Sequence, residues 1–301
     1  MAGQVHGNLS HAMRDNYAEH GVDEYYKKVA ATYRNPFYPG IRKVVWAFLT
    51  RWWEAEGEGY GAGRALKVLD MAAGSGEATL CLQEWEAAGK RSTSQPSSPT
   101  KSPPRLPLQV QSTLPSRPAF IPPNARRGAQ GTNGADGAAT PRARVFSGGV
   151  PALPRGLVLD VVASDPYTSP AYFARTSRVC HPLSFSDLAS GRLPPGYDAD
   201  AAEPAWDMIV CSFALHLLTD PSELFALLDE LSRRATWLVI IAPHKKPEIK
   251  ETWGWSRWDI AAWAPAGDKL YGGAKREDDD ETELEIVRDK VKLRLYRSQA
   301  I

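Results

Sequence analysis

Apolar residues come in short bursts, and their spacing changes along the chain. Near the start, Tyr25, Tyr26, Val29 and Tyr33 recur at helical intervals. Over residues 41–53, Val44, Val45, Phe48, Leu49, Trp52 and Trp53 do the same. Positions three and four apart share one helix face, so two helices are predicted, punctuated by Asn35-Pro36 and Pro39-Gly40. Residues 54–63 are glycine-rich and read as a linker. From residue 66 the pattern alternates. Apolar runs at 66–70, 157–164, 179–185, 206–213 and 235–242 read as strands. Between them, residues 77–89, 169–178 and 221–233 read as helices, with Leu80, Leu82 and Trp85 in the first and Leu224, Leu227, Leu228 and Leu231 in the last. His181-Pro182 interrupts the third strand. Continuous apolar strands alternating with amphipathic helices predict an α/β fold around a mainly parallel sheet, with helices on both faces. Residues 285–297 differ: Val291, Leu293 and Leu295 alternate with Lys292 and Arg294, as in a half-exposed antiparallel strand at an edge or in a hairpin.

One stretch breaks the rhythm. Residues 91–154 hold 12 of the 24 prolines, many Ser, Gly and Thr, and few large apolar side chains. Such composition buries too little apolar surface to offset the entropy of ordering, so a disordered insertion is expected. It is basic: residues 90–155 carry ten Lys or Arg against one acid, Asp136. With the insertion set aside, 25 positions separate Gly76 from Asp165. That is close to the roughly 20 residues between the glycine loop and the ribose-binding acid of nucleotide-binding βαβ units.

Composition narrows the class only slightly. The formal net charge is +1 over 301 residues, which argues neither for nor against nucleic acid. Cys81, Cys180 and Cys211 lie far apart, form no C-x-x-C pair and suggest no metal cluster, which suits a reducing compartment. The first residues lack an apolar signal core, and no run approaches the roughly 18 apolar residues of a membrane span. The expectation is a cytoplasmic protein with no membrane partner, and nothing here argues against a nucleus.

The chemistry concentrates at the first strand–helix junction, Asp70-Met71-Ala72-Ala73-Gly74-Ser75-Gly76. Glycines allow close approach of backbone to a ligand, and a helix start offers free N–H groups. An acid at the strand end would repel a pyrophosphate and attract an ammonium or sulfonium. This stretch resembles motif I of the class I S-adenosylmethionine (SAM)-dependent methyltransferases, E/D-x-G-x-G-x-G, with Ala72 at the first glycine. Asp165-Pro166-Tyr167 is similar to motif II, Asp187-Leu188 to the position that binds adenine, and Trp206-Asp207 to the opening of motif IV.

The resemblance implies a Rossmann-like, seven-stranded-type sheet with an antiparallel C-terminal strand. It implies SAM as cofactor, with Asp70 at the methionine part and Ala72, Gly74 and Gly76 against the cofactor. Asp165 and Pro166 would lie at the ribose, Asp187 and Leu188 at the adenine, and Cys211, Ser212 and Phe213 near the sulfonium and acceptor. Residues 1–60 would form a helical extension or lid, with Tyr26 or Tyr33 facing the ligand, and residues 61–301 the methyltransferase domain. Without the resemblance, Asp165 reads as a turn residue, Asp187 as a helix N-cap and Asp207 as structural.

No catalytic group stands out. His216 follows the fourth strand and is a candidate base, although methyl transfer chiefly needs alignment. Trp253, Trp255, Trp258 and Trp263 interleave with Lys245, Lys246, Lys250 and Arg257, an arrangement that would stack bases, line a small-molecule pocket or cap a sheet edge. No nucleic-acid module accompanies it, so a small-molecule acceptor is favoured over RNA or protein. The alternatives are a catalytically silent SAM-binding regulator or scaffold, and an NAD(P)-dependent oxidoreductase.

Overall fold

A computed structural model describes residues 22–30, 32–60, 64–94, 149–197, 203–267 and 284–301. The expectation of disorder within residues 91–154 falls largely on residues 95–148, outside this set. So does the acidic run at residues 276–283.

Among the described residues the chain forms α1 (Val22–Val29), α2 (Tyr38–Glu56), β1 (Ala65–Met71), α3 (Glu77–Ser94), β2 (Val158–Ser164), α4 (Ser169–Thr176) and β3 (Cys180–His181). Then come α5 (Phe185–Ala189), β4 (Trp206–Ser212), α6 (Pro221–Ser232), β5 (Ala235–Ala242), β6 (Trp255–Asp259), β7 (Ala264–Pro265), β8 (Glu285–Arg288) and β9 (Val291–Ser298). The strands make one sheet in the order β3-β2-β1-β4-β5-β9-β6-β7, with β8 paired to β9. Strands β1 to β5 run parallel, and β9 lies antiparallel between β5 and β6. This is a Rossmann-like α/β sheet with an antiparallel C-terminal strand.

Period-two alternation sends neighbours in one strand to opposite faces. Val68, Met208 and Val210 join one buried cluster with Phe48 and Trp52 of α2 and Leu82 and Trp85 of α3. Leu69, Ile209 and Cys211 join another with Leu224, Leu227, Leu228 and Leu231 of α6. Helices therefore cover both faces.

Some local expectations change. Residues 54–60 are no linker: α2 runs to Glu56, and a 3₁₀ turn, Gly57–Tyr60, follows. Tyr60 is buried there and donates to Asp207 Oδ1 at 2.7 Å. Thr93 donates to the Leu153 carbonyl at 2.6 Å, and Leu153 is fully buried, so the folded chain reaches into both ends of the expected insertion. Strand β3 is only two residues long, because Pro182 has no N–H to continue the ladder. The C-terminal alternation is a hairpin, as one reading of it proposed, but β9 is interior. Its Arg294 is buried and donates to the carbonyls of Lys245, Lys246 and Pro247. No described helix is long and apolar enough to cross a membrane.

Candidate functional site

Strand order reverses between β1 and β4, so the loops leaving these neighbours diverge and open a crevice at the carboxyl ends of the parallel strands. A cavity of about 500 Å³ lies there. The loop after β1 forms one wall, with Ala72, Ala73 and Gly74. Asp165, Pro166 and Tyr167 come from the loop after β2, and Ser184, Phe185 and Ser186 from the turn after β3. Ser212, Phe213, Ala214, Leu217 and Leu218 come from the end of β4, with Glu223 at the start of α6. Tyr26, Tyr33 and Asn35 close it from the N-terminal side. Among the described residues its lining holds three carboxylates, Glu77, Asp165 and Glu223, five aromatic rings and no Lys, Arg or His.

The loop after β1 turns through left-handed conformations at Ala72 (φ 55°), Gly74 (φ 58°) and Gly76 (φ 86°). Ala72 therefore occupies a conformation that glycine adopts without strain. Gly74 faces the cavity; its N–H donates to Asp165 Oδ2 at 3.1 Å, and its carbonyl accepts from Thr168 Oγ1 at 2.7 Å. Gly76 does not line the cavity. A Cβ there would come within 2.6 Å of Thr176 Cγ2 and 3.1 Å of the Tyr172 ring. Gly76 serves the close packing of α4 on the loop.

Asp70 lies elsewhere than the resemblance puts it. It is fully buried and does not line the cavity. Its Oδ2 accepts from the Thr79 N–H at 3.1 Å and Thr79 Oγ1 at 2.6 Å, and Oδ1 has no partner among the described residues. Burial dominates and pushes its carboxyl up to about 7, against the Thr79 hydrogen bonds. The side chain has turned under the loop toward α3, on the same strand face as Val68 and Leu66. It supports the loop from below.

Asp165 is buried at the cavity wall. Its Oδ1 accepts from the N–H groups of Tyr167 and Thr168, both at 2.9 Å, while Oδ2 holds Gly74. A carboxylate offers about four acceptor sites, so capacity for a ligand hydroxyl remains. The turn reading holds, and the same residue lines the cavity.

Asp187 behaves as an N-terminal helix residue. Its Oδ2 accepts from Ser184 N at 2.8 Å and Ser184 Oγ at 2.7 Å, completing a capping box, and Oδ1 pairs with Arg192 at 2.7 Å. The Ser184 hydrogen bonds hold its carboxyl below the usual range. Neither Asp187 nor buried Leu188 lines the cavity; Ser184, Phe185 and Ser186 do. Likewise Cys211 is fully buried, its thiol pushed up to about 12 by burial, while Ser212 lines the cavity with a hydroxyl that has no partner among the described residues.

His216 does not line the cavity either. Its ring meets that of His244 edge-on at 4.5 Å, and burial lowers its pKa to about 4. The tryptophan–lysine run is not a stacking platform: Trp255 and Trp258 are buried, and Trp263 packs on the same core as Trp258. Trp253 and Trp263 are half-buried, Trp253 with Lys250 over its ring at 5.6 Å.

Sequence reasoning missed Glu77, which follows the glycine loop and is buried at the cavity. Besides nearby Ser75, its partners lie 42 and 98 positions away, at Asn35 and Arg175, where sequence pattern does not reach. Phe213, expected at the end of the fourth strand, lines the cavity; it is held at φ 58° and stacked on Phe37 at 5.2 Å. Such strain at a strand end is a signature of sites, but it is invisible in sequence.

No family model matches the chain. Among solved structures, the magnesium protoporphyrin IX methyltransferase of Synechocystis PCC 6803, crystallised with SAM, aligns over 95% of this chain and 94% of its own. The identity is 10% and the TM-score 0.39, a likeness too loose to assign residues or activity. A protein of Schizosaccharomyces pombe, the uncharacterized protein C17A5.05c, is 35% identical over 260 residues, covering 86% of each chain. The chain belongs to the family of that fission-yeast protein.

Proposed function

We propose that the chain is a SAM-dependent methyltransferase acting on a small-molecule acceptor. One observation carries this reading: a cavity at the switch point of the sheet, lined among the described residues by three carboxylates and five aromatic rings, with no cationic side chain. At about 4 Å and an effective dielectric near 20, a single pair of like charges costs about 4 kcal/mol. A dinucleotide pyrophosphate or an RNA backbone would meet that repulsion several times over. A sulfonium or ammonium would be attracted, and aromatic faces favour cations further.

The residues present fit SAM. Gly74 lets the ligand approach the backbone, Asp165 retains acceptor capacity for ribose, and the Ser212 hydroxyl lacks a partner among the described residues. Ser184, Phe185 and Ser186 replace Asp187 and Leu188 as the side chains available to an adenine. When bound, SAM supplies an electrophilic methyl group. The chain's task is to align an acceptor and exclude water. Phe213, Ala214, Leu217 and Leu218 form an apolar wall suited to both. His216 is not assigned a role as base.

The test is calorimetric titration with S-adenosylhomocysteine (SAH) and with NADH, followed by transfer of labelled methyl to a fractionated metabolite extract. SAH binding without NADH binding, together with a labelled small molecule, is expected. NADH binding without SAH binding overturns the reading. SAH binding with no labelled product in any fraction favours a silent SAM-binding protein instead.

A further inference from the structure

Resting on the SAM reading above, we propose that Glu77 is the carboxylate that reads the ammonium group of the cofactor's amino-acid end. Asp70 is turned away beneath the loop and does not line the cavity. Glu77 is the first residue of α3, is 4% exposed and lines the cavity.

Its two oxygens are used unequally. Oε1 accepts from Ser75 Oγ at 2.6 Å, Arg175 Nη1 at 2.7 Å and the Asn35 N–H at 3.0 Å. Oε2 lies on the Gly74 side, 3.5 Å from where a Cβ on that cavity-lining glycine would stand. Three donors on one oxygen fix the carboxylate, leaving the other for a donor from the cavity. Arg175 offsets part of its charge yet does not line the cavity, so it does not compete there. A cation donating to Oε2 would make a charge-assisted hydrogen bond in a water-poor setting, the stronger kind. Asn35, seated on Oε1, shares the cavity wall with Tyr33. The N-terminal wall and the ammonium would therefore be read by the two oxygens of one side chain.

The experiment compares SAH with 5′-methylthioadenosine, which keeps the nucleoside and lacks the amino-acid end. Both are titrated by calorimetry into the full chain, its Glu77→Gln variant and its Asp70→Asn variant. Expected is an SAH affinity about 10- to 100-fold weaker in Glu77→Gln, the range for one lost charged hydrogen bond. Methylthioadenosine affinity should stay within about threefold, as should SAH affinity in Asp70→Asn. Equal weakening of both ligands by Glu77→Gln would mean a purely structural role and overturn the proposal, as would no weakening of SAH. Should Glu77→Gln fail to fold, Glu77→Asp, which keeps the charge but withdraws it by one methylene, takes its place with the same SAH-selective loss expected. Wild-type protein that binds neither ligand overturns the SAM reading itself, an outcome separate from any variant ratio.

Discussion

Asp70 makes stability depend on pH in an unusual direction. In the folded chain its carboxyl is fully buried and titrates at about 7, against 3.8 for an ordinary aspartate. The folded state therefore holds the proton more tightly than the unfolded state does. Below the unfolded value both states are protonated, and stability is unaffected by this group. As pH rises, the unfolded chain ionises first, and stability falls by about 1.4 kcal/mol per pH unit until the folded carboxyl also ionises. Between pH 5 and 8 the loss sums to about 3 kcal/mol. Asp70→Asn removes the titration but keeps an oxygen for Thr79, which supplies both a backbone N–H and a hydroxyl. Urea unfolding of both proteins at pH 5 and pH 8 measures the difference, and other groups cancel in the comparison. The variant should gain on the wild type by about 3 kcal/mol as pH rises from 5 to 8. A stability difference identical at the two pH values would refute the argument and return Asp70 to contact with solvent or ligand.

Three further outcomes follow from the same geometry. Gly76→Ala should destabilise by about 2–4 kcal/mol in urea unfolding, combining a left-handed φ of 86° with a Cβ 2.6 Å from Thr176 Cγ2; an unchanged midpoint would show that α4 can move aside. His216, whose pKa is lowered to about 4, stays neutral when folded, so below pH 6.5 the unfolded state takes the proton first and stability falls toward pH 4. Replacing it with Phe should flatten that acid limb in thermal melts, and a limb left unaltered would contradict its burial. Replacing residues 95–148 with a short Gly/Ser link should preserve one cooperative melt and SAH binding, because Thr93 and Leu153 already join the two ends at 2.6 Å; removing residues 91–154 should cost stability, since it takes that contact and buried Leu153 with it.

The sheet was legible in sequence because buried parallel strands read as unbroken apolar runs, as in residues 206–213 and 235–242. The glycine loop was legible too, since only small residues suit three left-handed conformations in five positions. What each residue there does was not. Asp70 and Gly76 belong to the motif by spacing, but one supports the loop from beneath and the other admits Tyr172 and Thr176 of α4. Asp187 could have been placed from sequence: Ser184, three residues earlier, spells a capping box. Tyr60 was lost among glycines, since its partner Asp207 lies 147 positions away. The tryptophans near the C-terminus looked like a surface because charges flank them; β6 and its neighbours bury Trp255 and Trp258 instead. Alternation of Lys and Arg with apolar residues suggested an edge for β9, whereas carbonyls of the 245–247 turn satisfy Arg294 inside the sheet.

The most direct measurement is a crystal structure of the full chain soaked with SAH. The account predicts density at the ends of β1, β2 and β4, with the ribose at Asp165, the base beside Phe185 and the amino group at Glu77. Density at any other surface, or a nucleotide pyrophosphate bound against those same carboxylates, would contradict it.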